Sequence, residues 1–155
     1  MKASDIMTHE VLTVRPDTSV REIARLLNRS DISGVPVVDE TEAVVGIITE
    51  LDLILRNARL HFPTYIRILD NIIYLQDPRR YREELRRSLG TTAEEIMTRE
   101  VISATPDTDV EDIATLMVEK RINPIPILEE GRLVGIISRA DILRLMAQDL
   151  GEEEA

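Results

Sequence analysis

Two short stretches carry polar groups at a spacing that could hold a ligand, Thr49-Glu50-Leu51-Asp52 and Ser138-Arg139-Ala140-Asp141. Each follows a β-branched apolar run, Val44 to Ile48 or Leu133 to Ile137, and precedes a helical pattern, so each is expected at a strand-to-helix junction. Free amides and the positive end of the helix dipole favour a phosphate there. The hydroxyl adds a donor, and the carboxylate can accept from two vicinal ribose hydroxyls. The same spacing, Ser or Thr followed three residues later by an acid, is also a capping box that needs no ligand. The two readings are compatible, because a ligand can displace a cap.

The elements that position these junctions belong to an internal repeat. Residues Ile6 to Asp52 recur as Ile96 to Asp141, with Ile6, Met7, Thr8, Glu10, Pro16, Asp17, Thr18, Ile23, Ile32 and Pro36 each matched 90 positions later. One residue is lost before Gly46, which aligns with Gly135 at an offset of 89. Length changes of one residue belong in turns, so Asp39 to Ala43 and Glu129 to Arg132 are read as hairpin connections. Within each copy a β-rich run (Val11 to Val14) leads through Pro16-Asp17-Thr18 into a helix with apolar positions Val20, Ile23, Ala24, Leu26 and Leu27. Ser19 with Glu22 is expected to cap it, and Thr108 with Glu111 to cap its partner. Two strands follow, Val35 to Val38 and Val44 to Ile48, then a helix from about Glu50 to Leu60, matched by Arg139 to Gln148. The unit is β-α-β-β-α, of mixed α/β (α+β) class, and is too small to be comfortable alone. Two copies must therefore pack on each other, and function should sit where they meet. The division is residues 1–60 and 92–150 for the copies, 61–91 for an insert and 151–155 for an acidic tail.

Composition excludes several classes. Zero cysteines remove disulfides, thiol catalysis and cysteine-ligated metals, and His9 and His61 are unrelated by the repeat, so no metal site is expected. A net charge of −10 opposes binding to nucleic acid or anionic lipid. With no apolar run of 18 residues and no basic-plus-apolar leader, a soluble, unprocessed, cytoplasmic chain is expected. No glycine-rich phosphate loop and no recurring catalytic constellation is present, so no enzyme activity and no catalytic residue is assigned.

The order of elements, the proline-valine strands SGVPVVD and NPIPILE and the GII[TS]xxD junctions resemble the cystathionine-β-synthase-type (CBS) domain, whose tandem pairs form the Bateman module. The resemblance covers both copies, about two thirds of the chain. It implies a stand-alone regulatory module that binds an adenine nucleotide or adenosyl compound (AMP, ADP or ATP, with S-adenosylmethionine or NAD as further options) as a regulatory ligand rather than a required cofactor. It also implies a homodimer and an effector protein as partner. Carried over by position, one pocket combines Ser138, Arg139 and Asp141 with Leu12, Thr13, Ser33, Gly34, Val35 and Pro36. The other combines Thr49 and Asp52 with Ile102, Ser103, Asn123, Pro124, Ile125 and Pro126. Gly34 leaves room for a flat ring, and the prolines fix the strand entry. Arg139 is expected to meet a phosphate in the first pocket, whereas the aligned Glu50 would repel one in the second and Pro124 would narrow its mouth. The Asp141 pocket is therefore favoured and the Asp52 pocket is expected to be weaker, empty or selective for less charged ligands. Affinity between about millimolar and micromolar is expected.

The insert holds every aromatic residue, Phe62, Tyr65, Tyr74 and Tyr81. Tyr65, Ile66, Leu69, Ile72 and Ile73 are read as an amphipathic helix after Pro63, and Pro78 as the start of a second helix ending at Gly90. The insert would cover the module or its dimer interface, with the tyrosines as a nucleobase platform as the alternative. Apolar helix faces bearing Leu53, Ile54, Leu143, Leu145 and Met146 could form that interface or belong to the core. The competing function is a structural or dimerisation module in which both junctions are only caps.

Overall fold

The computed structural model describes residues 1–54, 65–68, 71–74 and 91–153. In the first copy, α1 (Ala3–Ile6) precedes α2 (Val20–Ser30), β1 (Gly34–Val38), β2 (Val44–Thr49) and α3, which starts at residue 50 and is described through 54. The second copy repeats the series as α4 (Ala93–Ile96), α5 (Val110–Lys120), β5 (Ile125–Glu129), β6 (Arg132–Ile137) and α6 (Arg139–Glu153). Between them lie β3 (Tyr65–Ile68) and β4 (Asn71–Tyr74).

Each copy is built on an antiparallel hairpin, β1 with β2 and β5 with β6, in matching register from Gly34↔Thr49 and Ile125↔Ile137. The expected first strand is reduced to a single residue. Val14 bridges Val37 in parallel, its amide donating to Pro36 O (3.1 Å) and its carbonyl accepting from Val38 N (2.9 Å), and Ala104 does the same beside Ile127. The turns fall where the length change placed them. Asp39 Oδ1 organises the longer one by accepting from Thr41 N (2.8 Å) and Ala43 N (3.1 Å), and Gly131 takes φ 78 in the shorter one, a left-handed conformation that a residue without Cβ adopts freely.

Ser19 caps α2 as expected, accepting from Glu22 N at 3.2 Å. The expected Thr108 cap is not formed. Asp109 is the N-cap of α5, without a side-chain bond, and Thr108 Oγ1 instead accepts from Thr105 N at 3.0 Å, as Thr18 Oγ1 does from Arg15 N at 3.0 Å. The threonine repeated in both copies closes the turn before the helix, and a hydroxyl used there cannot reach the third helical amide.

The helix expected over Tyr65 to Ile73 is a β-hairpin, with Tyr65↔Tyr74, Ile66↔Ile73 and Arg67↔Ile72 paired. Four isoleucines in this short stretch lose rotamer freedom in a helix and favour a strand, and that outweighed the apparent helical spacing. The second helix expected from Pro78 to Gly90 lies outside the described residues. Helix α6 continues past the expected Gln148 to Glu153.

The two cores are exchanged at their leading segments. Ala93 and Met97 are buried with Val14, Ile23, Leu27, Val35, Val37 and Ile48 of the first copy, while Ala3 is buried with Ile113, Ile125, Ile127 and Ile137 of the second. Met7 and Met97 lie over Gly135 and Gly46, where an added Cβ would stand 2.4 Å from either sulfur. Backbone pairing seals the exchange, with Thr8 and Ile136 donating to each other (2.9 and 3.0 Å), and Thr98 and Ile47 likewise (3.0 Å each). Neither copy completes its core from its own contiguous sequence.

Candidate functional site

Each strand-to-helix junction is closed by its own aspartate. Asp141 Oδ2 accepts from the amide (2.7 Å) and hydroxyl (2.8 Å) of Ser138, and Asp52 Oδ2 accepts from the amide (2.8 Å) and hydroxyl (3.1 Å) of Thr49. The carboxylate half of the capping box is therefore present, with the cap hydroxyl turned onto the carboxylate. The second oxygens differ. Asp141, only 8% exposed, receives Arg144 Nη1 on Oδ1 at 3.0 Å. Leu55 stands at the matching position of the first copy, and among the described residues Asp52 Oδ1 accepts no hydrogen bond.

Both junctions open into clefts between the copies. The Asp52 cleft, about 270 Å³, is completed by Thr98, Glu100, Ile102, Arg121, Asn123 and Pro124. The Asp141 cleft, about 350 Å³, is completed by Thr8, Glu10, Leu12, Asp31, Ser33 and Gly34. Ser33, Asn123 and Pro124 line both. Ser33 and Asn123 occupy the same repeat position, and residues so related can touch only beside the pseudo-two-fold axis.

The clefts gather Ser138, Asp141, Leu12, Ser33 and Gly34 on one side, and Thr49, Asp52, Ile102, Asn123 and Pro124 on the other, as expected. Other expected residues fall elsewhere. Val35, Pro36, Ile125 and Pro126 are fully buried in their strands and line neither cleft. Thr13 faces a third cavity of about 400 Å³ beside His9 and Arg132, and Ser103 lines neither cleft. Arg139 requires a correction: it lines the Asp52 cleft, together with Glu50. Its amide donates to Asn123 Oδ1 at 2.8 Å, so α6 starts beside the axis, where a residue can line the cleft of the other copy's junction. Gly34 also plays a different part, since a Cβ there would stand 2.7 Å from Pro124 Cδ; the space is used by the matching proline of the other copy.

Placed this way, the Asp52 cleft holds Arg121 and Arg139 against Glu50, Asp52 and Glu100. Among the described residues, the Asp141 cleft holds Arg144 alone, paired with Asp141, against Glu10, Asp31 and Asp141. The charge argument that favoured the Asp141 cleft for a phosphate is reversed. Glu10 with Glu100 and Thr8 with Thr98 were visible as repeat identities, and Asp31 against Arg121 as a charge reversal at one repeat position. Arg144 carried no such signal. No metal-binding group of three or more His, Cys, Asp or Glu occurs among the described residues.

The family model of the CBS domain matches residues 3–58 and 93–148. The chain belongs to the CBS-domain family. It is a tandem CBS pair, similar at 30% identity to an uncharacterized protein of Methanocaldococcus jannaschii over 94% of this chain and 91% of that protein. It is also 30% identical to inosine-5'-monophosphate dehydrogenase of the same organism over 92% of this chain, but spans only 23% of that enzyme. Among solved structures, a CBS domain pair in complex with 5'-methylthioadenosine and S-adenosyl-L-methionine is similar with TM-score 0.74 and 29% identity, covering 96% of this chain and 98% of that one. A further similar structure, CBSX2 in complex with AMP (TM-score 0.71, 24% identity, 95% and 96% covered), shares the fold. Among the described residues no helix is long and apolar enough to cross a membrane.

Proposed function

We propose that this CBS pair is a non-catalytic regulatory module that binds an adenosine-containing ligand between its copies and passes the bound state to a partner protein. The observation that carries this reading is the junction aspartate at the edge of each inter-copy cleft, fixed by a neighbouring hydroxyl and amide. A carboxylate so fixed is an acceptor for a vicinal diol, the feature shared by adenosine, its 5'-phosphates and its 5'-thio derivatives. The similar pair solved with methylthioadenosine and S-adenosylmethionine supports the same ligand class. Exposed Leu51, Ile54, Leu143 and Met146 lie on the helices that follow the two junctions and support a homodimer; Leu53 instead packs against the first core. A thermal-shift panel of AMP, ADP, ATP, S-adenosylmethionine, NAD and adenosine tests the reading. A ligand at 100 times its dissociation constant adds about 2.7 kcal/mol. No response to any of them at millimolar concentration would leave the dimerisation module as the better account, with both Oδ2 atoms serving only as caps.

A further inference from the structure

Position 31 of the first copy and position 121 of the second are equivalent in the repeat. Each is the C-cap of its helix, in the left-handed conformation with φ 50 and 54, and each faces a different cleft. One is aspartate and the other arginine, so the same backbone site presents opposite charges to two cavities of similar build. Glu10 and Glu100, again equivalent, offset each other, and Glu50 adds an anion to the Asp52 cleft, so the contrast rests on position 31 against 121 and on the arginines. Arg139 joins Arg121 in the Asp52 cleft, whereas among the described residues the Asp141 cleft has one arginine, Arg144, whose guanidinium lies on Asp141 itself. Asp52 keeps Oδ1 open to a diol among the described residues, and two arginines line the same cavity, residues whose side chains suit a phosphate.

From these observations we infer that the two clefts sort adenosine compounds by charge: the Asp52 cleft takes phosphorylated ones, and the Asp141 cleft takes those without a phosphate. The inference rests on the adenosine-binding reading above and adds which chemistry goes to which cleft. A phosphate entering the Asp141 cleft would meet Asp31 and Glu10 with one arginine, Arg144, among the described residues, where the Asp52 cleft offers two. An uncharged or cationic adenosyl group meets no such repulsion there.

Calorimetric titration of the full chain with AMP and with adenosine, repeated on Asp52→Ala and Asp141→Ala, separates the clefts. AMP binding is expected to be lost in Asp52→Ala and kept in Asp141→Ala, and tight adenosine binding to show the opposite pattern. Arg121→Asp should weaken AMP by about tenfold and leave adenosine within about twofold, the scale of a charge reversal in a half-solvated cleft. Asp31→Arg should create AMP binding that survives in the Asp52→Ala background. Both positions are exposed and already hold non-glycine residues in this backbone state, so these variants fold even where an aspartate variant does not. Loss of both ligands from the same aspartate variant, or equal weakening of both by Arg121→Asp, overturns the sorting while adenosine binding stands. Failure of one ligand alone to bind the unaltered chain also overturns the sorting, and failure of both overturns the adenosine-binding reading with it.

Discussion

Ser33 and Asn123, the same position in the two copies, hydrogen-bond to each other across the pseudo-two-fold axis, Asn123 Nδ2 donating to Ser33 Oγ at 3.1 Å. Asn123 Oδ1 also accepts from Arg139 N at 2.8 Å, so one amide joins both clefts to the start of α6. Asn123→Ala removes both bonds in a part-buried place and leaves a helix-terminal amide without its acceptor. A loss of about 1 to 2 kcal/mol in urea denaturation is expected. Ser33→Ala, which removes only one hydroxyl acceptor, should cost less than half as much.

The exchange of leading segments makes a second prediction. Met7 belongs to the first copy in sequence but packs on Gly135 of the second, where an added Cβ would meet its Sδ at 2.4 Å and its Cγ at 2.8 Å. Gly135→Ala should cost about 1 to 3 kcal/mol through overpacking, and Met7→Ala a similar amount through a cavity. The double variant relieves the clash it would otherwise keep, so it should cost less than the two singles together, by about 1 kcal/mol. Additive losses in a double-mutant cycle would separate Met7 from the second copy's core.

The repeat made the long helices, the paired strands, the hairpin turns and both junction aspartates legible, because periodicity, a one-residue deletion and a three-residue spacing are local signals; the short leading helices and the single-residue bridge at Val14 carried no such period. The exchange was not legible. Met7 and Met97 are identical, so the sequence reads the same whichever copy each one covers. Arg139 failed for a related reason: alignment places a residue on a helix but not relative to the axis, and Arg139 lines the far cleft. In the insert, Ile66, Ile72 and Ile73 satisfy helical and strand spacing alike, and their β-branching decides for the hairpin.

Arg144 occupies the oxygen of Asp141 that a ribose diol would need. It is two-thirds exposed at its side chain, so its ion pair contributes no more than about 1 kcal/mol and should be displaced readily. Arg144→Ala is expected to leave the melting temperature within about 2 °C and to tighten adenosine by about three- to tenfold, since the competing donor is gone. Weaker adenosine binding in this variant would mean that Arg144 contacts the ligand rather than guarding the carboxylate.

The amino-terminal leader is pinned to the second copy by a surface ion pair, Lys2 Nζ to Asp109 Oδ1 at 2.9 Å, beside the backbone bonds Ala3 N to Thr108 O and Val110 N to Met1 O. The hydrogen bond from Lys2, and then its charge, hold the Asp109 carboxyl below its ordinary 3.8, while the bond to Asp109 raises Lys2 above its ordinary 10.5. Asp109 has the lower pKa in the folded state, so its contribution is present above pH 3.8 and is lost as pH falls through the depressed folded value. Lys2 has the higher folded pKa, so its contribution is present below pH 10.5 and is lost as pH rises through the raised one. The small stability difference between the unaltered chain and Asp109→Asn should therefore stay constant from about pH 5 to 9. It should close on the acid side below 3.8, on the alkaline side above 10.5, and at any pH in about 1 M salt, where exposed charges are screened. Urea midpoints measured across that range check it: a difference that persists at pH 2.5 or in high salt would mean that the ion pair is not its source, and no difference at neutral pH would leave the leader's attachment to its backbone bonds and Ala3 burial.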